Sequence, residues 1–411
     1  MIPMKHLTPT EAWQRLSPTS PRQKQKAKGT PPIPEVNEIG DIYVFRQEQQ
    51  ATITTAYEEL PALIGEWQQG DGVMPDALSD MIEAYSRQVK AWAQNATDSH
   101  TADSLSSGST AAATKNKAKA KAPTNTTRQD ISPMVKSKWG QWEPFNDLCP
   151  EGCPAGCVAI AVAQIIWHWR TYHRGCTATK AYKTDTDKVK VPALPPITVF
   201  DYNNMSDNKP TNKKGRRAVA QLLQYVGAAL MSDYRNNGTS ALFSKAYHVL
   251  EDNIRLATKM GYEYEIYGAQ RFDEKIYSSL KNGCPVIVLG TNNGHGAHAF
   301  IIDGYNAAKN LYHVNWGWYG QYDGYFSLNA LTPAASYVYS YNKVAITNIK
   351  PKRILGDING DGEVSVQDAA QAINIAINGN YDSNADIDSD GKVTVNDAQI
   401  IVNHITGKDS L

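Results

Sequence analysis

Between Pro154 and Trp167 the chain reads Pro-Ala-Gly-Cys-Val-Ala-Ile-Ala-Val-Ala-Gln-Ile-Ile-Trp, a Pro/Gly turn running straight into an almost wholly apolar helical stretch. A helix that is apolar on every side has to be enclosed by the rest of a domain. Its first turn is a different environment, because unpaired backbone N–H groups and the positive end of the helix dipole lie there. Cys157 occupies that turn. A thiol so placed has its thiolate favoured, which makes Cys157 a candidate nucleophile.

The chain's 411 residues set the scale: two or three domains are expected. Lys plus Arg and Asp plus Glu are 41 each, so no global charge draws the chain to nucleic acid. The longest apolar run is too short to span a membrane. The first residues, Met1 to Pro9, contain no apolar h-region, so no signal peptide is visible. Five cysteines, at 149, 153, 157, 176 and 284, are odd in number and clustered, unlike a disulfide framework.

Taken in order, residues 1–40 are rich in Pro, Lys and Gln and read as mobile. Residues 41–94 form a small α/β element, with strands at Ile42–Phe45 and Ala51–Ala56 and a helical pattern over Pro75–Trp92. Residues 95–129 are a Ser/Thr-rich and then Ala/Lys-rich linker of low complexity, exposed and open to proteolysis. In residues 130–351, helices at Cys157–His173, Arg217–Met231 and Ser244–Met260 precede short strands. Those strands fall at Glu263–Ile266, Pro285–Leu289, Ala299–Gly304, Leu311–Asn315 and Gly324–Leu328. This order predicts an α+β domain, with helices packed on an antiparallel sheet. Residues 352–411 hold a repeat with an offset of 29 residues, each copy followed by a helical run, an all-α module.

A nucleophilic cysteine needs a base, a group to orient that base, and donors for the oxyanion. Of nine histidines, His298 lies where a glycine-rich loop enters a strand. A hairpin with the strand Leu311–Asn315 brings it close to Asn315, whose amide oxygen is expected to accept from the imidazole and hold its tautomer. Trp316 is expected to cover that bond from water and to border the substrate. His298 lies 141 residues after Cys157 and Asn315 lies 158 after it, the Cys–His–Asn order of papain-like enzymes. His295 and His313 stay unassigned.

Gly156-Cys157-Val158-Ala159 with Ala163-Gln164-Ile165, Gly296-Ala297-His298-Ala299-Phe300-Ile301-Ile302-Asp303-Gly304-Tyr305, and His313-Val314-Asn315-Trp316-Gly317-Trp318 resemble streptopain-type secreted cysteine peptidases. Trp139-Gly140-Gln141, ahead of Pro144-Phe145-Asn146, resembles that family's oxyanion segment. The resemblance covers roughly Val135 to Ile349. It implies a papain-like fold, endopeptidase activity on protein or peptide substrates without a catalytic cofactor, and an extracellular or cell-surface location. It also implies Gln141 as a side-chain oxyanion donor beside the Cys157 N–H. A zymogen follows too, with residues 41–94 as a pro-segment and the linker as the place to cut.

The C-terminal repeat fits the loop D-x-[DN]-x-[DN]-G. Its first copy offers Asp357, Asn359, Asp361, the Glu363 carbonyl and Asp368; the second offers Asp386, Asp388, Asp390, the Lys392 carbonyl and Asp397. Hard oxygen donors in this number predict two Ca²⁺ sites. The pattern resembles a dockerin, which implies a cohesin-like protein partner. Val366-Gln367 and Val395-Asn396 depart from the Ser-Thr pair common in cellulosomal dockerins, leaving the partner type open. Two other readings are compatible with these residues: a Cys-His amidase or acyl transferase, and a calcium-dependent binding protein with an inactive peptidase-like domain.

Overall fold

The computed structural model describes residues 5–16, 33–47, 50–58, 62–68, 82, 85–86, 89–90, 128–172, 175–235, 238–260, 264–292, 296–328, 342–352, 354–359 and 363–411. The chain opens with α1 (Pro9–Leu16) and four strands, β1 (Glu35–Ile39), β2 (Ile42–Gln47), β3 (Gln50–Thr55) and β4 (Leu63–Gln68). Then come α2 (Cys157–His168), the short pair β5 (Tyr182–Lys183) and β6 (Lys190–Val191), α3 (Lys213–Ala229) and α4 (Phe243–His248). Next are β7 (Leu256–Met260), α5 (Tyr264–Lys281), β8 (Val286–Asn292), β9 (Gly296–Asn306), β10 (Leu311–Asn315), β11 (Gly324–Phe326) and β12 (Asn342–Pro351). The chain closes with α6 (Val366–Ile377) and α7 (Val395–Ile405). The architecture is α+β, as expected, and it divides into two units, each built from two separate stretches of chain.

The first unit comprises Met1–Gly140 and Met260–Thr347. Its strands pair in the order β1-β2-β3-β4-β11-β10-β9-β8-β12, each neighbour antiparallel. The expected strands at 42–45 and 51–56 correspond to β2 and β3. Through β4 they extend the sheet that carries His298 and Asn315. The run Ile42-Tyr43-Val44-Phe45 is buried on both faces, which is why it does not alternate in polarity. Ile42 and Val44 join the large core, whereas Tyr43 and Phe45 pack with Leu7 and Ala12. This contact is what orders residues 5–16, within the stretch expected to be mobile; residues 17–32 lie outside the described residues. Of the helix expected over Pro75–Trp92, Ile82, Tyr85 and Val89 are helical and buried at i, i+3, i+7 spacing, and most of the rest lies outside the described residues. The linker up to residue 127 lies outside them as well.

The large core sets Phe272, Ile276 and Leu280 of α5 against Val286, Val288, Phe300, Ile302, Val314 and Trp316 of the sheet. The i, i+4, i+8 spacing of those three residues is a helix face. The strand expected at Glu263–Ile266 is instead the start of α5, since the short alternation Tyr-Glu-Tyr there is overridden by the longer helical period behind it.

The second unit comprises Gln141–Lys259 and Asn348–Leu411. At its centre is α2, in which every residue from Val158 to Trp167 is buried. It packs against α3 and α4. Asn212 caps α3 by accepting the Gly215 N–H at 2.8 Å. Helix α2 ends at His168 rather than the expected His173, with one 3₁₀ turn at Arg170–Tyr172. The helix expected over Ser244–Met260 stops after a π turn at Val249–Asn253. Arg255 then takes a left-handed backbone (φ 64°) and the chain continues as β7. Among the described residues, no helix is long and apolar enough to cross a membrane.

Candidate active site

Cys157 begins α2, on the partly exposed side of a helix otherwise enclosed. The residue before it, Gly156, has φ 90°, and a Cβ there would lie 2.9 Å from the Thr239 carbonyl oxygen. Both facts demand glycine. The other four cysteines are buried. Burial pushes the Cys149 thiol up to about 12 and raises those of Cys153 and Cys176. Those thiols stay protonated and are poor nucleophiles, so Cys157 stands apart on exposure and position.

Gln141 belongs to the same unit as Cys157. Its backbone carbonyl accepts the Ala155 N–H at 2.9 Å, two residues before the thiol. Asn146 steadies the intervening loop by donating its amide to the carbonyls of Gly152 (3.0 Å) and Cys153 (3.3 Å). From α3, Arg216 forms a forked pair with Asp147, at 3.0 and 2.9 Å. Gln141 and the start of α2 are thus tied into one local structure.

His298, Asn315 and Trp316 are brought together in the first unit. The hairpin register differs from the expected one: pairing starts at Leu311↔Asn306, and Asn315 comes opposite Ile301, three residues from His298, even after a shift at His313/Val314 brings it one residue closer. The contact that reaches His298 comes from the next residue, the Trp316 carbonyl oxygen, 3.0 Å from His298 Nε2. A carbonyl only accepts, so the proton sits on Nε2 and the Nδ1 lone pair is left as the basic site. Asn315 Nδ2 donates to the Ser137 carbonyl at 2.9 Å, and its Oδ1 accepts the Gly317 N–H at 3.0 Å. This last bond fixes the Trp316–Gly317 peptide plane whose carbonyl faces the histidine.

Trp316 has no exposed surface. It packs on Phe300 and Phe326, with ring centroids 5.0 and 5.4 Å away, and lies 6.4 Å from the His298 ring. A residue so enclosed covers the histidine from water and presents no exposed surface in this structure.

Two carboxylates and one imidazole under this turn carried no assignment from sequence. His313 Nδ1 lies 2.6 Å from Asp303 Oδ1, and Asp303 is fully buried, its other oxygen accepting the Val135 N–H at 2.7 Å. Asp323 accepts the Trp316 N–H at 2.9 Å. Burial lifts the Asp323 carboxyl to about 7. His313 is raised by its hydrogen bond to Asp303 and the neighbouring carboxylates, against the lowering effect of burial. The available signal was the aspartate inside Phe300-Ile301-Ile302-Asp303, since a charge in an apolar strand needs a partner. His295 lies outside the described residues.

In the C-terminal module, carboxylate oxygens of Asp386, Asp388 and Asp390 lie within 4.8 Å of one another. Asp386 is buried; its Oδ2 accepts from the Tyr381 hydroxyl and the Gly391 N–H, while Oδ1 has no hydrogen-bond partner. A buried carboxylate oxygen without a donor, beside two more carboxylates, fits a hard cation. Lys392 follows in the same loop, its N–H bonded to Asp390. In the first loop, Asp357 is buried and Asn359 and Glu363 are described, whereas Asp361 lies outside the described residues. Asp368 and Asp397 stand differently from the expected ligands. Asp368 accepts four bonds, from the N–H groups of Ile358, Asn359 and Ser365 and the Ser365 hydroxyl. Asp397 repeats this with Ile387, Asp388 and Thr394. In this structure both carboxylates close their loops and cap α6 and α7.

Residues 139–326 match the Peptidase C10 family and residues 355–406 the dockerin type I domain. Streptopain of Streptococcus pyogenes is 35% identical over 127 residues, 29% of this chain and 30% of that protein. The thiol protease/hemagglutinin PrtT of Porphyromonas gingivalis is 23% identical over 338 residues, 75% of this chain and 37% of that protein. The matches thus span about a third of the length of these curated relatives. Among solved structures, a prointerpain A fragment of Prevotella intermedia shares the fold, with a TM-score of 0.60 at 24% identity over 78% of this chain and 99% of that one. The chain therefore carries a streptopain-like Peptidase C10 domain followed by a dockerin type I domain.

Proposed function

We propose that this chain is a secreted-type cysteine endopeptidase, made as a zymogen, with a calcium-loaded module that docks it to a cohesin-like protein. The observation that carries the reading is Cys157, the one partly exposed thiol of five, at the first turn of a buried helix. Supporting it is His298, whose Nε2–H is held by the Trp316 carbonyl so that Nδ1 remains a base. In the proposed reaction Nδ1 takes the Cys157 proton and the thiolate attacks a peptide carbonyl. The Gln141 amide and the Cys157 N–H donate to the oxyanion. His298 then returns the proton to the leaving amine, and water releases the acyl group.

Asn315 acts by fixing the peptide plane that presents the Trp316 carbonyl, and Trp316 keeps that bond dry. Residues 41–94 serve as the pro-segment and the linker as the maturation site. Two Ca²⁺ ions bind, one at Asp386, Asp388, Asp390 and the Lys392 carbonyl, the other at Asp357, Asn359, Asp361 and the Glu363 carbonyl. Secretion is supported by the streptopain-like domain and by the pairing with a dockerin.

The test is hydrolysis of a protein substrate such as casein after linker cleavage. The wild-type chain is expected to turn over and to lose activity on alkylation at Cys157, while Cys157→Ala falls by at least a thousandfold. A Cys157→Ala chain that still cleaves at the wild-type rate would sink the reading.

A further inference from the structure

The turn after β10 is pinned at two consecutive peptides. Asn315 Oδ1 takes the Gly317 N–H, and the Asp323 carboxylate takes the Trp316 N–H at 2.9 Å. The Trp316 carbonyl, between those two anchors, receives His298 Nε2–H. Trp316 is fully buried, so its backbone has no water to substitute for either anchor. Asp323 lies ahead of β11 and lines a cavity of about 920 Å³ on the first unit, together with Lys138, His313, Asn315 and Tyr325.

We propose that Asp323 is a positioning residue for His298, acting through Trp316: its carboxylate holds the Trp316 backbone in the orientation whose carbonyl selects the Nε2–H tautomer. This rests on the reading of His298 as the base. Asp323 is itself embedded in a charge cluster drawn from each surrounding element. Asp303 comes from β9, His313 from β10, Tyr325 from β11 and Lys138 from the segment leading to Gly140. His313 and Lys138 favour the Asp323 anion, and Asp303 opposes it. The Tyr325 ring meets His313 edge-on at 5.2 Å, while Glu66 of β4 is paired with Lys309 at 2.6 Å. Asp303 and His313 form the inner pair, leaving Asp323 as the carboxylate bonded directly to the turn. Ionised, it is the stronger acceptor for the Trp316 N–H; protonated, it loosens the grip.

The experiment uses the full-length Cys157→Ala chain, labelled with ¹⁵N in imidazole and ¹³C in Asp carboxyls, followed by NMR from pH 5 to 9. His298 is expected as the Nε2–H tautomer, with its Nε2 resonance inflecting at the pH where Asp323 titrates. Asp323→Asn keeps an acceptor oxygen and is expected to keep the tautomer while losing that inflection. Asp323→Ala is expected to shift the ring toward mixed tautomers. In the Cys157 enzyme, Asp323→Ala should lower kcat at least tenfold, with KM within twofold, and Asp323→Asn should recover most of it. Titration of Asp323 with His298 unmoved overturns the proposal, and so does an Asp323→Ala chain that keeps the tautomer. Should Asp323→Ala not fold, the coincidence of the two titrations in the Cys157→Ala chain decides alone. That arm needs no turnover, so a chain without peptidase activity defeats the preceding reading and leaves this measurement standing.

Discussion

At the scale of single residues, the chemistry turns on which groups are exposed and which are held. Cys157 is set by a glycine that no other residue replaces, and His298 by a backbone carbonyl. The cluster of buried Asp303 with partly buried His313 and Asp323 has a consequence for stability as well. The Asp323 carboxyl is lifted from an ordinary value of 3.8 to about 7, so between those values the fold holds a proton that the unfolded chain has released. Its contribution is therefore complete below about pH 4 and is lost as pH rises toward 7. His313 is raised from 6.5, so its contribution is present below that value and lost as pH rises through the higher folded one. Both act in the same direction. Asp368 and Asp397, whose hydrogen bonds hold them below the usual range, act oppositely but only in acid. Urea midpoints of the full chain are therefore expected to fall from pH 5 to pH 8, and Asp323→Asn is expected to flatten that slope. A midpoint rising over this range in the wild-type chain would contradict the assignment.

At the scale of elements, the sequence was most legible where one physical signal dominated. The apolar run into Trp167 demanded a buried helix and α2 is one; Leu311–Asn315 returns after a polar turn as a strand and is β10. It misled where a local pattern competed with a distant one. Nothing in Arg255 announces a left-handed residue that ends one element and starts β7, and nothing in three alternating residues reveals that α5 is beginning. The hairpin shows the same limit at finer grain, for Asn315 and His298 were both visible but the register set by the turn, Leu311↔Asn306, was not, so the wrong atom was expected to meet the imidazole. In the C-terminal module the repeat was plain, yet the role of its twelfth position depends on hydrogen bonds. Asp397 closes its loop through four of them. Asp397→Ala is expected to cost about 1–3 kcal/mol, the range for leaving buried donors unmatched and removing a cap. Measured by urea unfolding of the full chain, following a probe in α7, the loss should persist in EDTA. A loss seen only with calcium present would mark Asp397 as a ligand alone.

At the scale of the whole molecule, the first unit joins the start of the chain to the sheet of the candidate base. Strand β4 pairs with β11 from Gly324↔Trp67 to Phe326↔Gly65. Trp67 stacks on Phe326, with centroids 5.9 Å apart, and Ile53, Ile64, Phe326 and Trp316 lie in one core. At the end of the linker, Arg128 pairs with Asp273, donates to the Tyr312 hydroxyl and lies 4.5 Å over the Tyr277 ring. Chain at both ends of the linker is thus anchored in this unit, and a cut within residues 95–127 breaks no strand pair among the described residues. Sheet edges that lose a partner expose unpaired backbone and apolar surface, which opposes release. With a site-specific protease sequence placed within residues 95–127, the cleaved N-terminal piece is expected to co-elute with the remainder in size-exclusion chromatography and to separate only in denaturant. Trp67→Ala, expected to cost about 3–5 kcal/mol by emptying a buried aromatic site, should allow the piece to leave without denaturant. If the wild-type piece departs as soon as the linker is cut, the β4–β11 pairing is not what retains it.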